Sequence, residues 1–274
     1  LPVLAYKFWK GDRLISLISL GIMFLVLATF SFYLNSKGLG YLPSSVLAKS
    51  SHANSSSTVR NLISNLQKYG FLLVIVAFVL LASWKKNLPF ALMLTAITGL
   101  HFLFGQYGSY GRYEAYYVIL LLIVALRFLL DANPKIWIVV ATLPLAFYTL
   151  AVPTLSTPLG AANIHNQQAQ MARIANLIND KVAVNDLGLV ALRSNNYVLD
   201  LWGLGSIEVL KYKKGTEAED RWISSLMAEK GVRYAMVYDT WFPLKPANWI
   251  KVAELQLMQR TITPASRIVS LYAT

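Results

Sequence analysis

The run from Leu14 to Leu34 limits what this chain can fold into more than any other stretch. It contains no charged residue, and a helix of that length covers the roughly 30 Å hydrocarbon core of a bilayer. Similar apolar runs follow at Gly70–Trp84, Leu88–Phe104, Tyr116–Leu130 and Ile136–Val152. Over the 274 residues, 56% are hydrophobic and 14% charged, too apolar a balance for a soluble protein of this size. The pattern predicts a polytopic α-helical membrane domain over residues 1–155. Its five spans fall near 14–34, 70–84, 88–104, 116–130 and 136–152. Between the first two spans lies a polar loop, Asn35–Tyr69. In it Val59, Leu62, Ile63 and Leu66 recur at helical spacing, which predicts a short interfacial helix.

Residues 156–274 read differently. Apolar strand patterns at Lys181–Asn185, Tyr197–Leu201 and Val232–Tyr238 alternate with helical ones, and Trp249–Leu257 and Arg267–Tyr272 follow as late, antiparallel strands. This is a small soluble α/β domain. Its predicted details are a helix over Ile164–Asn179, Asp186 capping a short helix, and a Thr216/Glu219 capping box. A helix stop is expected at Lys230-Gly231, and a solvated loop at Lys211–Lys214.

Charge sets the topology. Residues 1–159 carry twelve Lys/Arg against Asp12, Glu114 and Asp131, a net +9, whereas residues 160–274 carry +3. Lys7, Lys10, Arg13, Lys85, Lys86 and Lys135 cluster on one side of the predicted spans, which the positive-inside rule places in the cytoplasm. The expected location is the cell inner membrane, multi-pass, with the C-terminal domain in the periplasm or outside the cell. A basic membrane half favours lipid headgroups or a lipid phosphate as partner. No basic run is interleaved with a nucleic-acid motif, so nucleic acid is not expected. The absence of Cys removes disulfides and thiolate metal sites.

The chemistry concentrates in the turn from Gln106 to Tyr117. Arg112 and Glu114 sit there at the mouth of a membrane helix among five tyrosines. An aromatic belt explains the tyrosines and a snorkelling Arg112. It leaves Glu114 unexplained, and an ionisable group at this depth is by default a site. Lys49, in the outer loop, offers a compact cation for a phosphate, with solvation as the plainer role. His52 and His101 are weaker candidates. Trp202, Trp241, Phe242 and Trp249 offer a sugar-stacking surface, while Trp222 fits core packing better. Gly203-Leu204-Gly205 lacks the third glycine of a dinucleotide fingerprint.

Three segments carry a family resemblance. Tyr41-Leu42-Pro43-Ser44-Ser45 with Ala48-Lys49 resembles the "YG-x-x-x-PNT-x-x-AK" loop of GT-C glycosyltransferases. The similar branch transfers arabinofuranosyl or mannosyl groups from polyprenyl-phosphate sugars. Arg112-Tyr113-Glu114-Ala115-Tyr116 resembles its "RYEAY" segment, and Asn185–Gly188 with Val198–Leu204 its "D-x-G…V-x-D-x-x-GL" pattern. Ser44-Ser45 departs from the usual Asn-Thr. The resemblance implies an integral-membrane glycosyltransferase with a polyprenyl-phosphate-linked sugar as donor substrate. The acceptor would be a glycan, lipid or protein. Lys49 and Arg112 would contact the donor phosphate, and Glu114 would orient Arg112 or hold sugar hydroxyls; Tyr113 and His52 complete the candidate substrate-binding set. The catalytic carboxylate is expected outside this chain, on an N-terminal half of the same protein. No metal ligand is assigned, and dependence on a divalent metal stays open. Two other readings remain: a non-catalytic membrane protein that binds lipid-linked glycan or anchors an envelope assembly, and a transporter. The latter lacks the expected internal repeat.

Overall fold

The computed structural model describes residues 1–50, 55–83, 87–105, 107, 113–131 and 136–274. The elements in chain order are α1 (Pro2–Trp9), α2 (Arg13–Ser36), α3 (Ser44–Ser50), α4 (Ser55–Tyr69), α5 (Leu72–Ser83), α6 (Leu88–Phe104), α7 (Ala115–Asp131) and α8 (Ile136–Ile178). There follow β1 (Val182–Val184), α9 (Gly188–Arg193), β2 (Val198–Asp200), α10 (Ile207–Lys214), α11 (Glu219–Lys230), β3 (Tyr234–Val237), β4 (Ile250–Gln256) and β5 (Ile268–Ala273). The chain is thus mostly helical with one small mixed sheet. It divides into two compact units: residues 1–32 with 52–156, and residues 33–51 with 157–274.

In the first unit, α2 is apolar around its whole circumference. Among the described residues it is the one helix long and apolar enough by itself to cross a membrane. It stops at Gly38, whose φ of +73° suits glycine, and Leu39 N–H closes back onto Leu34 O at 3.0 Å. The axes of α4 and α5 lie 86° apart, so this pair is bent rather than continuous. Leu72, Ile75, Val76 and Val79 of α5 pack with Leu94 and Phe102 of α6 and with Tyr117, Val118, Leu121 and Val124 of α7. The described parts of α5, α6 and α7 are shorter than a full span each.

In the second unit the strand order is β2-β1-β3-β5-β4. β2, β1 and β3 are parallel, and β5 runs antiparallel to both β3 and β4. Strands buried on both faces need no polar alternation, and β1 reads Val182-Ala183-Val184, all buried. Ala183, Ala235 and Val237 face Val209, Trp222, Ile223 and Leu226 of α10 and α11. Val182, Val184 and Met236 face Met171, Ala172 and Ala175 of α8 and Val190 of α9. Gly231 at φ +64° ends α11, as its position predicts, and Val232 N–H reaches Met227 O at 2.8 Å.

Several local expectations are corrected. α11 starts at Glu219 with Ala218 before it and no side-chain cap, so Thr216 forms no capping box. α9 also lacks a side-chain cap, because Asp186 is engaged by Tyr238 and Gln168 Oε1 takes the Leu189 N–H instead. Lys211–Lys214 is helical, since Ser206 caps α10 through Val209 N–H at 3.2 Å. The helix predicted from Ile164 is the last part of α8, which passes Pro153 and Pro158 unbroken.

Candidate functional site

The site starts at the facing ends of α6 and α7. Asn87 caps the start of α6, accepting from Phe90 N–H at 3.4 Å, and Pro89 fits its first turn. One turn spacing puts Thr98 and His101 of α6 on the face that meets α7. There Tyr117 OH donates to Thr98 Oγ1 at 3.1 Å, and Tyr116 OH lies 2.5 Å from His101 Nδ1. The imidazole stacks on Tyr117 at 4.9 Å between centroids and meets Tyr107 edge-on at 4.7 Å. Tyr107 in turn stacks on Tyr69 of α4 at 4.2 Å. Asn61 and Asn65 of α4 donate to Leu103, Gly105 and Phe102 carbonyls, which satisfies the C-terminal end of α6.

Two polar atoms in this cluster are buried without a partner: His101 Nε2 and Tyr107 OH. A buried polar atom left unpaired costs about 1–3 kcal/mol, and both atoms have bonding capacity that a ligand or a water can take up. Beside it, the Glu114 carbonyl accepts the Tyr117 and Val118 N–H groups at 2.9 Å each, making Glu114 the residue at the head of α7. Its side chain is buried, where the helix N-terminus favours a negative charge, and it lies within electrostatic range of Tyr107. A cavity of about 440 Å³ opens on His101 and Tyr116, walled otherwise by apolar side chains such as Val3, Ile97, Leu100, Phe104 and Leu120. An imidazole and a phenol on the wall of an apolar cavity suit a ligand with hydroxyls or a phosphate on a greasy body.

The predicted residues are distributed as follows. Glu114 is buried at the start of α7, and Tyr113, half-buried, precedes it. Arg112 and His52 lie outside the described residues, as do Lys85 and Lys86. Lys49 falls on α3 in the second unit, with its side chain outside the described set. Thr98 and the inward-facing Tyr107 and Tyr117 were missed by sequence reading, which saw the tyrosines as a belt. The available signal was the i, i+3 pair Thr98/His101 on an otherwise apolar helix. Among the described residues no three His, Cys, Asp or Glu side chains converge as a metal would require.

In the second unit, two of the resembling segments meet: Ser44 Oγ of α3 donates to Leu204 O at 2.5 Å. The loop it touches is built on Asp200. That buried carboxylate accepts N–H groups from Trp202 (2.8 Å), Gly203 (3.0 Å) and Gly205 (2.6 Å). Gly203, at φ +91°, could not readily be another residue. Lys213 Nζ sits 3.6 Å over the Trp202 ring and bonds Trp202 O, while Trp241 lies 4.2 Å from the same ring. Neighbours this close cannot share a face, so Trp202 has no free face for a sugar. Phe242 and Trp249 are buried core residues rather than part of a sugar-stacking surface, and Trp222 is core as expected. Burial lowers the Lys213 pKa against the raising influence of Glu219 and Asp200. Tyr238 OH faces both Gln167 Oε1 (2.6 Å) and Asp186 Oδ2 (3.2 Å). Burial and then the Asp186 charge push its pKa far up, which keeps it a donor.

No curated protein and no solved structure matches the chain. Residues 162–272, which lie inside the second unit, match the family model described as Domain of unknown function (DUF8728).

Proposed function

We propose that this protein is a membrane glycosyltransferase of GT-C type that takes a sugar from a polyprenyl phosphate and passes it to an acceptor outside the cytoplasm. The observation that carries the reading is the buried Glu114 at the head of α7, within electrostatic range of Tyr107 in the cluster that leaves His101 Nε2 and Tyr107 OH unpaired. Charges and unpaired donors in such a place are retained for a ligand. The resembling segments give further support. One contains Glu114, and the other two are joined by the Ser44–Leu204 hydrogen bond. In this reading the spans are α2, α5, α6, α7 and the first part of α8. The sheet unit and α3 are extracytoplasmic. Lys49 and Arg112 hold the donor phosphate, where negative charge grows as the glycosidic bond breaks. A carboxylate base takes the acceptor hydroxyl proton, and the anomeric carbon inverts. Glu114 and His101 hold the sugar hydroxyls or orient Arg112.

The test is transfer of labelled sugar from a polyprenyl-phosphate donor in proteoliposomes by the protein together with the carboxylate-bearing N-terminal half that the resemblance implies. Transfer that falls sharply in Glu114→Gln supports the reading. Donor binding with no transfer to any glycan, lipid or protein acceptor would favour the non-catalytic alternative, a membrane protein that holds lipid-linked glycan for an envelope assembly.

A further inference from the structure

α4 divides cleanly into three faces. At about 100° per residue, Thr58, Asn61, Leu62, Asn65 and Tyr69 share one side, and all are buried or half-buried. Val59, Ile63 and Leu66 fall within roughly 60° of arc on a second side, and they are 56%, 50% and 40% exposed. Arg60, Gln67 and Lys68 lie on the third, all exposed. The helix carries no acidic residue. A soluble helix with one protein-facing side has no reason to keep a second apolar stripe in water, where it gains nothing from burial.

The direction of the helix adds an independent constraint. α4 meets the apolar α5 at 86°. If α5 enters the hydrocarbon along the membrane normal, α4 lies in the membrane plane. Its three faces then have distinct surroundings: the stripe points into the acyl boundary, Arg60 and Lys68 meet headgroups and water, and the asparagine side meets protein. The cations, unbalanced by any acid on this helix, specify anionic headgroups.

We propose that α4 is an in-plane anchor seated on an anionic bilayer surface, and that it sets the depth of the α6 end. The second part follows from its hydrogen bonds. Asn65 donates to Phe102 O at 3.0 Å and to Gly105 O at 3.2 Å, and Asn61 donates to Leu103 O at 3.0 Å. These carbonyls flank His101 directly. The anchor therefore holds the His101 cluster at headgroup level, whether or not that cluster binds a sugar donor.

The chain has no Cys, so single labels report cleanly. Spin labels at Ile63→Cys and at Lys68→Cys are compared in nanodiscs that contain phosphatidylglycerol, with dissolved oxygen and a water-soluble nickel chelate as relaxants. The Ile63 label should favour oxygen several-fold and the Lys68 label the chelate. Equal chelate access at both positions overturns the anchor, because the stripe is then in water. Shielding of Ile63 from both relaxants also overturns it, because protein then covers the stripe. In phosphatidylcholine alone, or with Arg60→Gln and Lys68→Gln together, the Ile63 label should lose much of its oxygen preference. An unchanged preference refutes the anionic requirement. Donor transfer plays no part in the readout, so this test can fail or succeed separately from the proposed function.

Discussion

The two units treat their ionisable groups in opposite ways. In the sheet unit Asp200, Asp239 and Asp180 are occupied by the fold itself. Asp200 is filled by three backbone N–H groups, and Asp239 by Tyr272, Ser270, Lys245 and Lys251. Asp180 is bound by Arg233 and by Lys181 N–H. In the helical unit, by contrast, His101 keeps a buried nitrogen unpaired and Tyr107 a buried hydroxyl, on rings whose centroids lie 4.7 Å apart. The first pattern is how polar groups serve stability, since satisfied networks rigidify a fold. The second leaves hydrogen bonds that, in the proposed reading, a ligand completes; in the sheet unit the buried atoms left unpaired are the amide nitrogens of Asn185 and Gln259, which carry no charge.

Removing a structural carboxylate should therefore cost the most. Asp200→Ala leaves three N–H groups of the 202–205 loop without their acceptor, and should destabilise the sheet unit by about 3–5 kcal/mol, the scale for hydrogen bonds to a buried charge. Chemical denaturation followed by amide exchange at Trp202–Gly205 measures it. A loss below 1 kcal/mol would blur the comparison, since Asp200 would then be free for another role. In the helical unit, Gly105→Ala is the sharper probe. A Cβ there would overlap the His101 carbonyl and come within 2.7 Å of Nδ1. The cost should be about 1–3 kcal/mol, with the His101 ring displaced and its ring-nitrogen NMR signals shifted.

A smaller effect depends on pH. Desolvation raises the Asp239 pKa, but hydrogen bonds from Tyr272, Ser270 and Lys251 and the Lys245 charge outweigh it and hold the carboxyl at about 2. A folded value below the unfolded one of about 3.9 means the unfolded chain binds the proton more tightly. The contribution is complete above pH 4 and is lost as pH falls toward 2. Asp239 is more than one-third exposed, and solvent screening reduces the nominal value to about 1 kcal/mol. Urea midpoints of the sheet unit at pH 5 and pH 2.5 should differ less in Asp239→Asn than in the parent chain.

Sequence and structure agree best where periodicity and end signals act together. The five strands, the antiparallel late pair and the Gly231 stop were all legible, because a buried strand needs consecutive apolar residues and a left-handed C-terminus needs glycine. Cap assignments failed where a tertiary partner outcompeted the local one, as Tyr238 does for Asp186. The site was half legible. Glu114 stood out as a charge at a membrane helix mouth, but the roles of Thr98 and Tyr107 depend on how α4, α6 and α7 pack, which no spacing reveals. Lys211–Lys214 shows the same limit: a basic run reads as solvated until Trp202 comes under Lys213.

The most direct measurement is donor affinity at the cluster. Binding of a polyprenyl-phosphate-linked sugar to the protein in nanodiscs is compared for the parent chain, Glu114→Gln and His101→Ala, with amide exchange along α6 and α7 as the folding control. If the unpaired His101 nitrogen bonds the ligand and the Glu114 charge belongs to the same site, each variant should bind about 10–100-fold more weakly, the equivalent of roughly 1.5–3 kcal/mol. Exchange along the two helices should be unchanged. Parent affinity in both variants would contradict the account, and the cluster would then be packing within the helical unit.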